Sequence, residues 1–204
     1  MRLREAMMVS LNFLCIFAPM KYTLTTQEAT MAAEEFVRRY RDVERFDALC
    51  AQCPSYGKMW CCPPFAFNPA TVSDGFKTVT LMATTIEFDQ AICEACRGAQ
   101  EKSRQVSRQA MDEVWDSLLP ELLERERQCP GSRAFTFRCS LCPEGCTRPE
   151  GKPCRHPDRM RQSLEAVGFD VSTAARDLLG VNLEWSSDGS LPRHISIVTA
   201  LMTP

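Results

Sequence analysis

The sequence contains only two histidines among 204 residues, so any bound metal must be held chiefly by sulfur. It also lacks a nucleotide-binding glycine motif, a Ser/His/Asp set and a clear acid–base pair, so no familiar catalytic machinery is apparent. The protein also has no large excess of positive or negative charge. A net charge of −2 and a pI near 5.8 argue against a general binder of nucleic acid or membrane surfaces.

Cysteine, by contrast, is abundant and clustered. The twelve cysteines make up about 6% of the chain, which is below the level typical of short secreted disulfide scaffolds. In a compartment that keeps thiols reduced, such clusters indicate metal ligands rather than disulfides. We therefore expect a cytoplasmic metal-binding protein.

The densest cluster lies between Cys139 and His156. Prolines and glycines are interspersed through this stretch, which excludes a helix interior or a central strand. Few apolar side chains are available to hold its shape, so thiolates bound to a metal would have to do so. A Cys-x-x-Cys turn directs two sulfurs to one centre, and two further cysteines can close the shell; the four are Cys139, Cys142, Cys146 and Cys154. A loop tied by disulfides is the alternative.

A second sulfur-rich segment runs from Cys50 to Pro64. Cys50 and Cys53 form another Cys-x-x-Cys turn, and Cys62 follows nine residues after Cys53. Adjacent Cys61 and Cys62 cannot easily both face one metal, so we expect one of them to pack or stay free. A third pair, Cys93 and Cys96, lies in helix-forming sequence with no further cysteine nearby, which favours plain free thiols.

Residues 1–19 combine Arg2 and Arg4 with an apolar run from Ala6 to Ala18. The run has no small-x-small cleavage site after it and is too short to cross a bilayer. We interpret 1–19 as an extension, either a misassigned start or a weak targeting segment, and 20–204 as a single metal-binding domain without a membrane span.

Helix and strand patterns alternate along the rest of the chain. A capping box of Thr25 and Glu28 predicts a helix over 26–47, and β-rich composition predicts a strand over 76–88. A long helical pattern covers 91–128, with Pro120 expected to kink it or to start a second helix. A short strand, 134–138, then leads into the densest cysteine cluster.

After that cluster we expect a helix from Pro157 to Gly168 and another over 170–180 with Gly180 as its stop. Two closing strands follow, over 181–185 and 195–202, joined by turn chemistry at Asp188-Gly189. The predicted fold class is α+β, an antiparallel sheet faced by helices and carrying two cysteine-rich metal-binding loops.

The chain resembles a family of predicted metal-binding proteins, domain of unknown function 2284, from about residue 25 onward. Three motifs carry the resemblance: Cys50-x-x-Cys53-x-x-Tyr56-Gly57-x-x-Trp60-x-Cys62-Pro63-Pro64, then Cys139-x-x-Cys142-x-x-x-Cys146, and finally Gly151-Lys-Pro-Cys154-Arg-His-Pro157, continuing to Asp170-Val171. The resemblance implies that the functional cysteines are Cys50, Cys53, Cys62, Cys139, Cys142, Cys146 and Cys154. It places Cys61, Cys93, Cys96 and Cys129 at variable positions. Gln162 and Arg138 depart from the family pattern.

Two metals compete for these cysteines. Zinc prefers four ligands, often from two Cys-x-x-Cys turns, and Cys50/Cys53 with Cys139/Cys142 could form one such site. That would leave three well-placed cysteines unused. An iron–sulfur cluster, with a 4Fe–4S cluster as the leading form, suits the second motif better and would allow a second cluster at Cys50, Cys53 and Cys62. Its fourth ligand could be water, a substrate, Cys61 or Cys96.

Basic residues surround the densest cluster. Between 131 and 162 seven Lys or Arg residues face three acidic ones, a surplus of four on an acidic protein. Compensation of an anionic cluster, solvated surface charge and contact with an anionic small molecule or acidic redox partner are all compatible with this. Arg155, His156 and Arg161 are the candidate contacts.

Three function classes follow from these patterns. The first is an iron–sulfur protein that carries electrons or assists a larger redox system. The second is a zinc-stabilised binding module without a redox role. The third is an enzyme that uses an open iron position at Cys50, Cys53 and Cys62; the sequence leaves open whether the protein is an enzyme.

Overall fold

A four-stranded antiparallel sheet forms the centre of the protein, which a computed structural model describes over residues 22–186 and 188–204. The strands are β1 (Tyr22–Ala32), β2 (Thr78–Phe88), β3 (Arg133–Phe135) and β4 (His194–Thr203). Their spatial order is β1-β2-β4-β3, so β2 and β4 pair in the middle, and long β1 and short β3 form the two edges.

Five α-helices connect and cover the strands: α1 (Ala33–Tyr40), α2 (Val43–Cys50), α3 (Gln90–Ala95), α4 (Gln100–Gln128) and α5 (Val171–Leu179). Short 3₁₀ turns lie at Pro69–Thr71, Arg148–Glu150 and Glu165–Val167. The α+β prediction, with an antiparallel sheet faced by helices, is confirmed.

Alternating side chains of the central strands fill two separate cores. On β2, Val79, Leu81 and Ala83 face the core that α1 and α5 cover. Met82 and Ile86 face the opposite core, which α4 covers with side chains that include Trp115. This period-two alternation is what a sheet buried on both faces requires.

The helix predicted over 26–47 is wrong in its first half. Residues Tyr22–Ala32 form β1, which pairs with β2 along its whole length. Threonine hydroxyls hydrogen-bond across this pair, at 3.0 Å between Thr26 and Thr84. β-branched side chains favour pleated backbone, and cross-strand pairing outweighs the local capping-box pattern at Thr25. The helical periodicity is confirmed only from Ala33 onward, as α1 and α2.

The helix predicted from Pro157 to Gly168 is also wrong, apart from one 3₁₀ turn at its end. The backbone carbonyls of Arg161 and Gln162 accept hydrogen bonds from Thr136 at the end of β3. Carbonyl groups engaged in this way are withdrawn from an intrahelical ladder, so the segment lies along β3 instead.

The predicted strand over 181–185 does not form, and therefore neither does the predicted hairpin at Asp188-Gly189. β4 pairs with β2 along nearly its whole length, but with β3 only at residues 200–202, and no backbone pairing joins residues 181–185 to the rest of that edge. Trp185 is 79% exposed as a result. The predicted strands over 76–88 and 195–202 and the helix over 170–180 are confirmed, and the strand over 134–138 is confirmed in shorter form as β3.

The long helical pattern over 91–128 divides at a different place from the one expected. Gly98, with a φ of +70°, separates α3 from α4. α4 then continues through Pro120, where no second helix begins. A glycine in the left-handed region ends a helix more effectively here than a proline interrupts one.

No helix within the described residues is long and apolar enough to cross a bilayer. The interpretation of residues 1–19 as an extension concerns a segment outside the described residues.

Gly168→Ala is expected to destabilise the fold by about 2–3 kcal/mol. Gly168 has a φ of +95°, and a Cβ atom there would lie 2.8 Å from the Cα atom of Val43 in α2. Gly180→Ala is the matched control, because Gly180 also has a positive φ, of +67°, but a Cβ atom would meet no neighbour. It should cost about 1 kcal/mol. Chemical denaturation measures both, and equal losses would contradict the close approach at Val43.

Candidate metal centre

The two cysteine-rich loops leave neighbouring elements of the fold. The first loop, residues 51–64, follows α2, and the second loop, residues 137–162, follows β3. α2 packs against the turn Glu165–Val167, which comes shortly after the second loop. The Asp42 N–H donates to the Gly168 carbonyl at 2.8 Å, and the Arg45 guanidinium pairs with Asp170 at 3.1 Å. These contacts bring the two loops side by side.

The base of the second loop is closed by Thr136. Its N–H donates to the Gln162 carbonyl at 2.9 Å, and its hydroxyl donates to the Arg161 carbonyl at 3.1 Å. Thr136 is buried, so these bonds are shielded from water. These bonds hold the two ends of the long, irregular second loop together.

Trp60 and Arg148 join the loops to each other. The Trp60 indole N–H lies 3.3 Å from Thr147 Oγ1 and 3.2 Å from the Lys152 carbonyl, both in the second loop. Arg148 donates from Nη1 to the carbonyls of Met59 and Cys62, at 2.7 Å and 2.5 Å, and from Nη2 to the Pro64 carbonyl. Its guanidinium also lies over the Trp60 ring, 5.3 Å from the centroid. One arginine therefore holds three backbone groups of the opposite loop.

The first cavity, of about 380 Å³, lies between the loops. Its sulfur lining comes from Cys61, Cys139, Cys142, Cys146 and Cys154. Apolar side chains complete much of the wall: Met59, Trp60, Leu141 and Met160. The cavity thus combines several thiols with side chains that keep water away.

The second cavity, of about 280 Å³, is adjacent to the first. Its sulfur lining comes from Cys50, Cys53, Cys62, Cys61 and Cys139, so the last two cysteines face both cavities. Tyr56, Arg138 and Glu165 are among the polar side chains of its wall. Arg138 Nε is buried and has no hydrogen-bond partner within the described residues.

Cys61 lies between the two cavities, next to other cysteines. Its Sγ lies 3.8 Å from Cys62 Sγ, and both Cys61 and Cys139 line the two cavities. The neighbouring Cys61 thiol lowers the pKa of Cys139 to about 6, and it also lowers the pKa of Cys62. The same contacts raise the pKa of Cys61 itself. Thiolate character therefore concentrates at Cys139 and Cys62, and the thiolate is the form that binds metal.

Burial raises the pKa of other groups that line the cavities. It raises the pKa of Cys50 to about 11 and raises the pKa of Cys154 and of the Glu165 carboxyl. The His156 backbone N–H lies 3.4 Å from Cys154 Sγ and donates to it, which partly offsets this at Cys154. A cation in either cavity would favour the thiolates.

Within residues 22–186 and 188–204, no three His, Cys, Asp or Glu side chains converge on a point that one ion could occupy. The sulfurs instead line the walls of two cavities.

The candidate ligands predicted from the sequence separate into groups. The cavities bring together all seven cysteines of the motifs, and they add Cys61, for which packing or a free thiol was an open expectation. Cys96 lies apart, fully buried in the core beneath α4, and lines neither cavity. It does not fit the role of an extra ligand.

The three candidate anion or partner contacts also differ in position. His156 lines the first cavity, and Arg155 Nη1 donates to the Gly145 carbonyl at 2.8 Å. Arg161 is bound within the fold, because its guanidinium pairs with Glu126 at 2.5 Å and both side chains are largely buried. Arg161 therefore fits a structural role rather than contact with an external anion.

Four basic residues between 131 and 162 have acidic partners: Arg161 pairs with Glu126, Arg138 pairs with Asp112, Lys152 pairs with Glu150 at 2.7 Å, and Arg155 lies 3.9 Å from Glu144. Glu144 and Glu150 are already counted in the local charge balance, so only Glu126 and Asp112 reduce the surplus, from four to two.

The sequence analysis assigned no specific role in the site to Arg148 or Glu165, although both contribute to its structure. Arg148 appeared only as one basic residue among seven, because its three carbonyl acceptors come from the other loop. Glu165 occurs in the third motif, but its approach to the second cavity depends on the packing of its turn against α2.

Neither the search of curated proteins nor the search of solved structures found a match. A family model described as a predicted metal-binding protein matches residues 38–202, which include both loops and every cysteine that lines the cavities. The chain therefore belongs to this family of predicted metal-binding proteins, DUF2284.

Proposed function

We propose that the first cavity holds an iron–sulfur cluster, favoured as 4Fe–4S, and that the protein serves in electron transfer or as a redox accessory protein. The observation that carries the proposal is the lining of a 380 Å³ cavity by Cys139, Cys142, Cys146 and Cys154, all from one short loop. Cysteine thiolates in such close spacing are the usual ligands of these clusters.

The donor chemistry of this cavity fits a cluster. Every candidate first ligand is sulfur, and the loop that supplies them has little apolar content with which to hold itself. When bound, the cluster supplies a one-electron redox centre. The protein supplies the four thiolates, the backbone N–H that donates to Cys154, and an apolar wall of Trp60, Leu141 and Met160 that limits solvent access.

A zinc-stabilised binding module is the second candidate, and one distance favours it. The Cys61 and Cys62 sulfurs lie 3.8 Å apart. Two sulfurs bound to one tetrahedral zinc ion at about 2.3 Å would lie about that far apart. No third ligand among the described residues joins this pair, however, and a structural zinc site needs four. The cluster therefore remains the better-supported group.

A small acidic redox protein or an anionic small molecule is the partner that fits this proposal. Arg155 and Lys152 lie on the second loop with 40% and 68% of their side chains exposed, and their carboxylate partners, Glu144 and Glu150, are exposed as well. Exposed charges of this kind steer association without fixing it tightly.

Anaerobic purification tests the proposal. We expect a brown protein with broad visible absorption, iron and acid-labile sulfide in equal amounts, and reversible bleaching on reduction. A colourless protein that carries stoichiometric zinc and no sulfide would overturn the proposal in favour of the zinc-stabilised module.

A further inference from the structure

Three motif cysteines line the second cavity, one fewer than the four ligands of a four-iron cluster. Cys50, Cys53 and Cys62 line it, and a cubane cluster has four iron corners. The two other sulfurs in its wall belong to Cys61 and Cys139. The identity of the fourth ligand is therefore a choice between these two residues, water and an external molecule.

Cys139 is already one of the four motif cysteines that line the first cavity. It forms the Cys-x-x-Cys turn with Cys142 and completes the set of four in the first cavity. Its transfer to the second centre would leave the first centre with three motif cysteines. Cys61 is not one of the four motif cysteines of the first cavity, and its assignment to the second cavity gives each centre four cysteines.

The orientation of Cys61 supports this assignment. Adjacent Cys61 and Cys62 were not expected to face one metal together, but both line the second cavity. Cys61 is only 4% exposed, yet it belongs to neither of the two hydrophobic cores. Its burial places the thiol in the wall that the two cavities share, next to other thiols.

We propose that Cys61, Cys50, Cys53 and Cys62 hold a second iron–sulfur centre, which adjoins the first at the wall that Cys61 and Cys139 share between the cavities. This inference rests on the proposed function. It also leaves no open iron position in the second cavity, and thus favours paired redox centres over an enzyme with a substrate-binding iron.

Two consequences can be measured. The protein should contain about eight iron and eight sulfide per chain, as two 4Fe–4S centres require. Because Cys61 and Cys139 line both cavities, the two centres would also lie close together, so the electron spins of the reduced centres should interact. Electron paramagnetic resonance of the fully reduced protein should show broadened, split signals rather than the sum of two isolated spectra.

Cys61→Ala and Cys61→Ser test the assignment, and Cys96→Ala is the matched control. Cys96 is also buried, but it lies in the α4 core and lines neither cavity. We expect both Cys61 variants, purified anaerobically, to lose about half of the iron and sulfide and to show the spectrum of one isolated centre. The serine variant preserves side-chain size, and circular dichroism establishes that the variants are folded.

The outcomes separate the two proposals. Full iron content and unchanged spin coupling in both Cys61 variants would overturn this inference, and so would a wild-type protein with about four iron that Cys61 variants do not alter. In both cases the proposed iron–sulfur function would stand. A wild-type protein without iron would overturn both.

Discussion

Replacement of Cys142 by serine is expected to remove the iron–sulfur centre of the first cavity. Serine lacks the thiolate that binds iron, and Cys142 belongs to the set of four that lines this cavity. Anaerobically purified variant should retain about half of the wild-type iron and sulfide, because the second cavity keeps its own cysteines.

Loss of the metal should also loosen the polypeptide around it. The second loop contains prolines, glycines and few apolar residues, so its order depends on the metal and on contacts with the first loop. We expect limited proteolysis to cut within 139–156 at least tenfold faster in Cys142→Ser than in wild type. Cys129→Ser is the control, because Cys129 precedes β3 and lines neither cavity. An iron content equal to that of the control would contradict the assignment of Cys142.

Arg148→Ala is expected to have the second large effect, through the junction between the loops. Arg148 donates to three carbonyls of the first loop and lies over the Trp60 ring. Hydrogen bonds from a charged group contribute about 1.5–3 kcal/mol each, though not additively, so we expect about 2–4 kcal/mol lower stability of the metal-free protein. Arg148→Lys should recover only part of this, because a single ammonium cannot reproduce the planar fork.

Arg155→Ala is the appropriate control for Arg148. Arg155 belongs to the same loop and carries the same charge, but its backbone contact lies within that loop, at Gly145. Chemical denaturation of the metal-free variants and the rate of iron loss to a chelator measure both effects. Equal behaviour of the Arg148 and Arg155 variants would mean that the inter-loop contacts do not hold the site together.

The cysteine motifs were predictable from sequence because ligand spacing is a local property. Cys-x-x-Cys turns and their flanking prolines are recognisable without any knowledge of the fold. The partition of the cysteines between two cavities was not, since it depends on how α2 packs against the turn Glu165–Val167. The same packing explains why Cys61, at a position considered variable, lies between the cavities.

The fold was predictable to a similar extent. Amphipathic periodicity identified α4 and α5, and β-branched composition identified β2, because each buries a face that its own sequence encodes. β1 was mistaken for helix, since its threonines gain stability only from partners on β2, which lies 46 residues or more further along the chain. The segment after Pro157 was mistaken for the same reason, because its carbonyl partners come from Thr136.

Arg161 shows that a charge pattern does not reveal which basic side chains are paired within the fold. The sequence placed it among candidate anion contacts, but Glu126, 35 residues earlier, binds its guanidinium in a largely buried pair. Removal of one partner from such a pair leaves an uncompensated charge, so its value is structural. Arg155 and Lys152 are more exposed than Arg161.

X-ray absorption at the iron edge of anaerobically isolated protein would test most directly whether thiols from both loops surround inorganic centres. We expect iron bound to sulfur in its first shell with a second, short iron–iron shell, and an iron signal that decreases by about half in both Cys142→Ser and Cys62→Ser. Protein without iron, or a zinc signal with a single shell and no metal–metal scattering, would contradict this account.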